Sequence, residues 1–248
     1  MANPIVLLDA RTFVSGADLS GSGNKIEITE ESEAKATTNW RSGGAREVKA
    51  GLTSTEINAE GQWEAGNIGL VDDSFWANRR VKEPWSVAPE SDSDLAAGGL
   101  MYLARALRTK LQWWGNLGDV GSWMANAVGT WPLVRGACAH ASGVPRTATG
   151  DGTAVQLGAV AAGEHLYANL HVLSISGTAA PTITVEIESD DNSGFTTATS
   201  RGSFAARTAV GGEAIRIAGP FTDTYWRASW TISGTNPSFL FLVSFGIE

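Results

Sequence analysis

The sequence predicts a mainly β protein in two parts, the second a sandwich or jelly roll. Three observations carry this. After residue 153, short alternating segments recur at spacings of roughly 10 to 15 residues, punctuated by Gly, Asn, Asp and Pro. Before residue 64, two long alternating segments flank the loop "WRSGGA". Composition changes near residue 137: Lys25, Lys35, Lys49, Lys82 and Lys110 all precede it, and only Trp226 and Trp230 of the tryptophans follow it.

In the first part, "NKIEITEESEAKATTN" and "REVKAGLTSTEINAEGQWEAG" read as the two long strands. "VDDSFWANRR" reads as a short helix, with Asp72 or Asp73 near its N-terminus and Arg79 and Arg80 near its C-terminus. The stretch 95–114 fits both periods. Leu100, Leu103, Leu107 and Leu111 recur as on a helix, whereas Met101, Leu103, Arg105, Leu107, Thr109 and Leu111 alternate as on a strand. "ACAHASGVPRTATGDGT" (137–153) is small, polar and turn-rich, and is expected to be a linker between domains 1–137 and 138–248. In the second part, Ile183, Val185 and Ile187 should face one way in "TITVEIE". Trp226 and Trp230 share a strand face expected in the core, with Tyr225, Arg227 and Ser229 outward.

Composition narrows the function. The net charge of -8 divides to about -4 on each side of residue 137, so the chain repels polyanions on average. No apolar run approaches the roughly 18 residues of a membrane span, and no membrane insertion is expected. The start, "MANPIVLLDAR", has no basic n-region and is not expected to be a secretory signal. Cys138 cannot form an internal disulfide. His165 and His171 lie six apart on an apparent strand, about 20 Å by strand rise, and read as surface or edge histidines. His140 falls in the linker beside Cys138, a chance neighbour rather than a dyad. "SDDNSGF" has the oxygen-rich look of a calcium loop, but Ser200 stands where a ligating glutamate would be needed. It reads as a hairpin loop with Gly194 at positive φ. "GSGNK" and "SGGAR" match no phosphate-binding motif. No cofactor, metal or catalytic set is expected. Trp63, Trp76, Trp85, Trp113, Trp114 and Trp123 are expected in a core or a subunit interface.

"GADLSGSGNKIEITEESEAKATTNW", "GLTSTEINAEGQWEAG" and "DDSFWA" resemble the opening of major tail proteins, the tail tube proteins of long-tailed bacteriophages. "GDVGSWMANAVGTWPLVRG" (118–136) resembles the closing strands of that module. The later phrases, from "LHVLSISGTAAPTITVEIESDDNSGF" to "TDTYWRASWTISGTNPSFLFLVSFGI", look like the β-sandwich of longer members. The resemblance covers most of the chain. It implies a tail-tube module of two packed antiparallel sheets and a short helix, followed by a C-terminal sandwich of jelly-roll or immunoglobulin-like type outside the tube. It also implies an extended 95–112. It implies a non-enzymatic virion protein, made in the host bacterial cytoplasm, that assembles in stacked rings, commonly hexameric. The partners implied are the tape measure protein and viral DNA in the lumen, and tail terminator and tail tip proteins.

On that resemblance Glu27, Glu30, Glu31 and Glu33 are lumen-facing candidates, where carboxylates would let DNA slide. A solvated outer face is the other reading. Trp40, Arg41 and Arg46, on the loop between the long strands, are candidates for inter-ring contacts; an ordinary exposed tip is the alternative. A binding or capsid-decoration module recognising cell-surface glycans stays open beside the tube subunit, as does an enzyme whose site is invisible in sequence.

Overall fold

The computed structural model describes residues 7, 9–66, 70–89 and 95–248. The apolar start "MANPIVLLDAR" falls mostly outside these residues. The protein is mainly β with one short helix. Strands β1 (Arg11–Val14), β2 (Ala17–Asp18), β3 (Gly23–Ala36) and β4 (Val48–Gln62) precede helix α1 (Val71–Ala77). Then come β5 (Lys82–Ala88), β6 (Leu100–Trp113), β7 (Ser122–Gly129) and β8 (Val134–His140). The short β9 (Gly150–Asp151) and β10 (Val155–Gln156) lead into β11 (His165–Asp190), β12 (Thr199–Ser203), β13 (Gly211–Ala218) and β14 (Tyr225–Ile247).

Of the ambiguous stretch 95–114, residues Leu100–Trp113 are extended, as β6, and a turn at 96–99 precedes them. Pairing with β5, β7 and β8 supplies more than the helix propensity of Ala, Leu and Arg could. Helix α1 falls where expected, with Asp72 and Asp73 in its first turn. It ends at Ala77, so Arg79 and Arg80 lie beyond it, in the turn that follows.

Strands β11 and β14 form one antiparallel ribbon, pairing from Leu166–Ile247 to Asp190–Tyr225. The ribbon bends midway. Gly177 and Gly234 have φ of 137° and 112°, and Ala179, Ala180 and Asn236 are also in the left-handed region. The bend brings both halves into one core. Leu170, Val172, Phe241 and Phe245 from one half meet Ile183, Val185, Ile187, Trp226 and Trp230 from the other. The alternation expected at 183–187 and at Trp226 and Trp230 is therefore the inner face of a sandwich made by one folded ribbon.

The expected linker needs correction at its start. Residues 137–140 are buried strand: β14 pairs along them on one side, and on the other Ala137 pairs with β6 and Cys138 bonds to Gly98 and Gly99 just before it. Hydrogen bonding thus runs from the first part into the second through β8. Small side chains at 137–139 read as a turn in sequence, but here they permit close packing between two strands. Gly136 shows this best: a Cβ there would stand 1.9 Å from the Phe245 carbonyl oxygen.

Candidate functional site

β3, β4, β7 and the C-terminal half of β6 form a four-stranded antiparallel region. One face is core. Ile57, Ala59, Trp123, Ala125 and Ala127 pack there with Phe75 of α1, which meets Trp123 edge-on at 5.2 Å. The other face is polar. Register places Glu27 opposite Asn58 and Glu31 opposite Ser54, with Glu56 and Glu60 on the same side of β4. Lys25 bonds to Glu60 at 3.3 Å and lies 3.7 Å from Glu27. Its pKa is raised, chiefly by the hydrogen bond and charge of Glu60. Lys35 pairs with Glu33 at 2.5 Å. These exposed pairs leave the polar face acidic and contribute little stability.

The four predicted glutamates are all exposed but do not share one face. Strand alternation puts Glu27, Glu31 and Glu33 on the polar face and Glu30 on the side of Ile26 and Ile28. A run of carboxylates in sequence is divided by period two in space.

The hairpin outgrows its support. All of 30–36 and 52–54 is exposed, so the distal half of the ribbon is wet on both faces. Trp40, Arg41 and Arg46 stand at the tip, and Trp40 is 104 % exposed. The loop holds its shape by local bonds, Asn39 N–H to Ser42 Oγ and Arg41 N–H to Asn39 Oδ1, at 3.0 and 2.9 Å. Two strand edges are also open among the described residues. β3 pairs only with β4, and β6 beyond Leu107 pairs only with β7.

The tryptophans divide. Trp85 and Trp123 are core. Trp76 and Trp114 are 55 % and 62 % exposed and sit beside Trp113 and Trp63, at 6.4 and 6.3 Å between ring centroids. Trp226 and Trp230 are buried and donate to the Gly158 and Ala148 carbonyls, so neither offers a ring to a sugar.

A buried polar seam joins the two parts, and the sequence did not reveal it. Asn169 of β11 donates to the Trp85 carbonyl at 2.9 Å and to Ser86 Oγ at 3.2 Å. Ser86 Oγ also lies 2.9 Å from His171 Nε2 and 3.0 Å from Ser244 Oγ. His171 is not a surface histidine, because Phe13, Gly16 and Ser86 of the first part pack over its ring. Burial drives its pKa down to about 3. The Gly16 N–H points at Nδ1 from 3.5 Å, so the proton sits on Nε2 and is donated to Ser86. A serine that accepts from its histidine is not activated by it, and both side chains are fully buried. The pair is structural. His140, also buried, stacks on Phe241 at 4.4 Å, and burial lowers its pKa to about 4. Burial also pushes the Cys138 thiol up to about 12, which leaves it unreactive. Glu83 and Arg108 form a buried ion pair with contacts of 2.7 to 3.1 Å; burial raises the carboxyl to about 7 although Arg108 opposes the shift.

The loop 189–195 is a hairpin turn closed by Asp190, which accepts from the Asn192 and Thr197 N–H groups. The positive φ falls on Phe195 rather than Gly194. Among the described residues no cluster of three or more His, Cys, Asp or Glu could hold a metal, and no helix is long and apolar enough to cross a membrane.

No protein-family model matches the chain, and no curated protein does. Several solved structures are similar. The tail of an empty gene transfer agent particle, with C6 symmetry, overlays 53 % of this chain and 97 % of that one at 17 % identity and a TM-score of 0.38. The sheath–tube complex of an extracellular contractile injection system covers 54 % and 92 % at 15 % identity and a TM-score of 0.39. The SPP1 Dit protein, described as a hub adsorption apparatus of phages infecting Gram-positive hosts, covers 96 % and 99 % at 14 % identity and a TM-score of 0.32. At that level of overlay the likeness fixes neither activity nor partner.

Proposed function

We propose that this chain is a structural virion protein, a tail tube subunit that assembles into stacked rings around a DNA conduit. The observation that carries the reading is the β3–β4 hairpin. A two-stranded ribbon wet on both faces is marginal by itself and needs a partner to be held. The open edges of β3 and of β6 beyond Leu107 flank the same four-stranded region. Joining one copy's β3 to the next copy's β6 makes a heterologous contact, which closes into a ring when the rotation allows. Ring number six is proposed on the family resemblance.

In such a ring the core face, covered by α1, turns outward, and the polar face with Glu27, Glu31 and Glu33 lines the lumen. Carboxylates there repel phosphates and keep DNA moving. Glu30, on the opposite side, is assigned to a subunit contact instead. The tape measure protein would fill the lumen before DNA does, with tail terminator and tail tip proteins at the ends. The role is non-catalytic and uses no cofactor. The domain division, 1–137 as tube module and 138–248 as outer sandwich, is kept as part of this proposal, with β8 shared between them.

Negative-stain electron microscopy of the concentrated protein tests the reading. Rings or hollow tubes with a pore of roughly 20 Å or more, wide enough for duplex DNA by its groove dimensions, are expected. Dispersed monomers at every concentration would overturn it.

A further inference from the structure

The two ends of the four-stranded region differ chemically and complement each other. Register fixes which end is which. Ala36 pairs with Val48 next to the hairpin tip, whereas Gly23 pairs with Gly61, and Gln62 with Ser122, at the far end. The tip is cationic and aromatic, with Arg41, Arg46 and a fully exposed Trp40. At the far end, α1 and the β6–β7 turn enclose an open cleft of about 410 Å³ lined by Asp72, Asp73, Trp76, Ala77, Trp113 and Trp114. The cleft is acidic and aromatic, and Trp76 and Trp114 at its rim are more than half exposed.

We propose that this cleft receives the hairpin tip of a second copy stacked along the strand direction. Trp40 packs against Trp114 and Trp76, which removes three exposed indoles from water at once. Arg79 already stacks on Trp76 at 3.4 Å and occupies one face of that ring, so the incoming indole takes what remains. Arg41 and Arg46 meet Asp72 and Asp73. The two carboxylates are held in place within their own chain, Asp72 by Trp63 Nε1 at 3.3 Å and Asp73 by the Gly66 N–H at 2.9 Å. Each can still accept further bonds, because an ionised carboxyl offers about four acceptor positions. The contact joins opposite ends of one molecule, so it does not close but repeats as a stack. The second copy as occupant rests on the tube reading above.

The test is a cysteine pair, Ala45→Cys at the tip with Ala77→Cys in the cleft. Both positions are exposed, and the native Cys138 is buried and does not compete. Oxidation should give a covalent ladder well beyond the dimer that collapses on reduction, with neither single variant passing the dimer. As a second readout, Arg41→Glu with Arg46→Glu should leave rings but shorten or abolish tubes. Tubes that form without a ladder would overturn the cleft as receptor and leave the tube reading standing. Absence of rings and tubes from the unmodified chain would overturn both.

Discussion

The protein contains two long antiparallel ribbons, and they differ in what they bury. The β11–β14 ribbon, with strands of 26 and 23 residues, bends in the middle and buries its inner face against itself. The β3–β4 ribbon, with strands of 14 and 15 residues, stays open and leaves its distal half in water. The difference is written in side chains. The first alternates Ile, Val, Phe and Trp with polar residues and has glycine at the bend. The second replaces its apolar positions with Glu30 and Ser32 beyond Ile28, so there is nothing to fold over. One ribbon supplies the buried core of the sandwich; the other is the one that the proposed function assigns to assembly.

The largest effect expected from breaking this contrast is in the folded ribbon. Trp226→Ala should cost about 3–5 kcal/mol of stability in denaturant unfolding, whereas Trp40→Ala should change the monomer by no more than about 0.5 kcal/mol. Equal costs would mean that the tip packs within the monomer.

Next comes pH. His171 is neutral in the fold, with a pKa near 3 against 6.5 for the free group. The unfolded chain therefore binds more protons between those values, and stability falls as pH falls through that window. At pH 4 the loss amounts to about 3 kcal/mol for this residue, and His140 adds to it in the same direction. Glu83 acts oppositely: its folded pKa of about 7 lies above the free value, so its contribution weakens as pH rises from about 4.5 to 7. Unfolding followed against pH should show the acid limb flattened in His171→Gln. An unchanged acid limb would remove His171 from the account.

Ser86→Ala should cost about 1–3 kcal/mol, because Asn169, His171 and Ser244 lose a shared partner inside the seam. The smallest stability change belongs to the acidic face. Glu27, Glu31 and Glu33 replaced together by lysine should leave the monomer's Tm nearly unchanged while DNA delivery by assembled particles fails. Glu30→Lys should instead weaken ring formation. If the triple variant delivers DNA normally, the face does not line the lumen.

Much of this contrast was legible in the residues. Period two gave the inner face at Ile183, Val185 and Ile187 and the buried pair Trp226 and Trp230, because burial imposes that pattern directly. The two long strands and the loop at 40–46 were visible for the same reason. Pairing partners were not. Nothing in "ACAHASG" says that 137–140 continues β8 along β14, since small residues suit a tight sheet contact as well as a turn. His171, Ser86 and Asn169 are 85, 83 and 2 residues apart taken pairwise, so their meeting depends on tertiary structure alone. Proximity in sequence is also no guide to face: alternation puts Glu30 on the side of Ile26 and Ile28, away from Glu27 and Glu31.

The most direct test of the central claim is amide hydrogen exchange on the hairpin in both states. In the monomer, amides of 30–36 and 48–54 should exchange far faster than those of 166–172 and 239–245. In assembled rings or tubes the hairpin amides should become protected while the sandwich stays as it was. Hairpin protection already complete in the monomer, or still absent in the assembled state, would contradict the assignment of this ribbon to assembly.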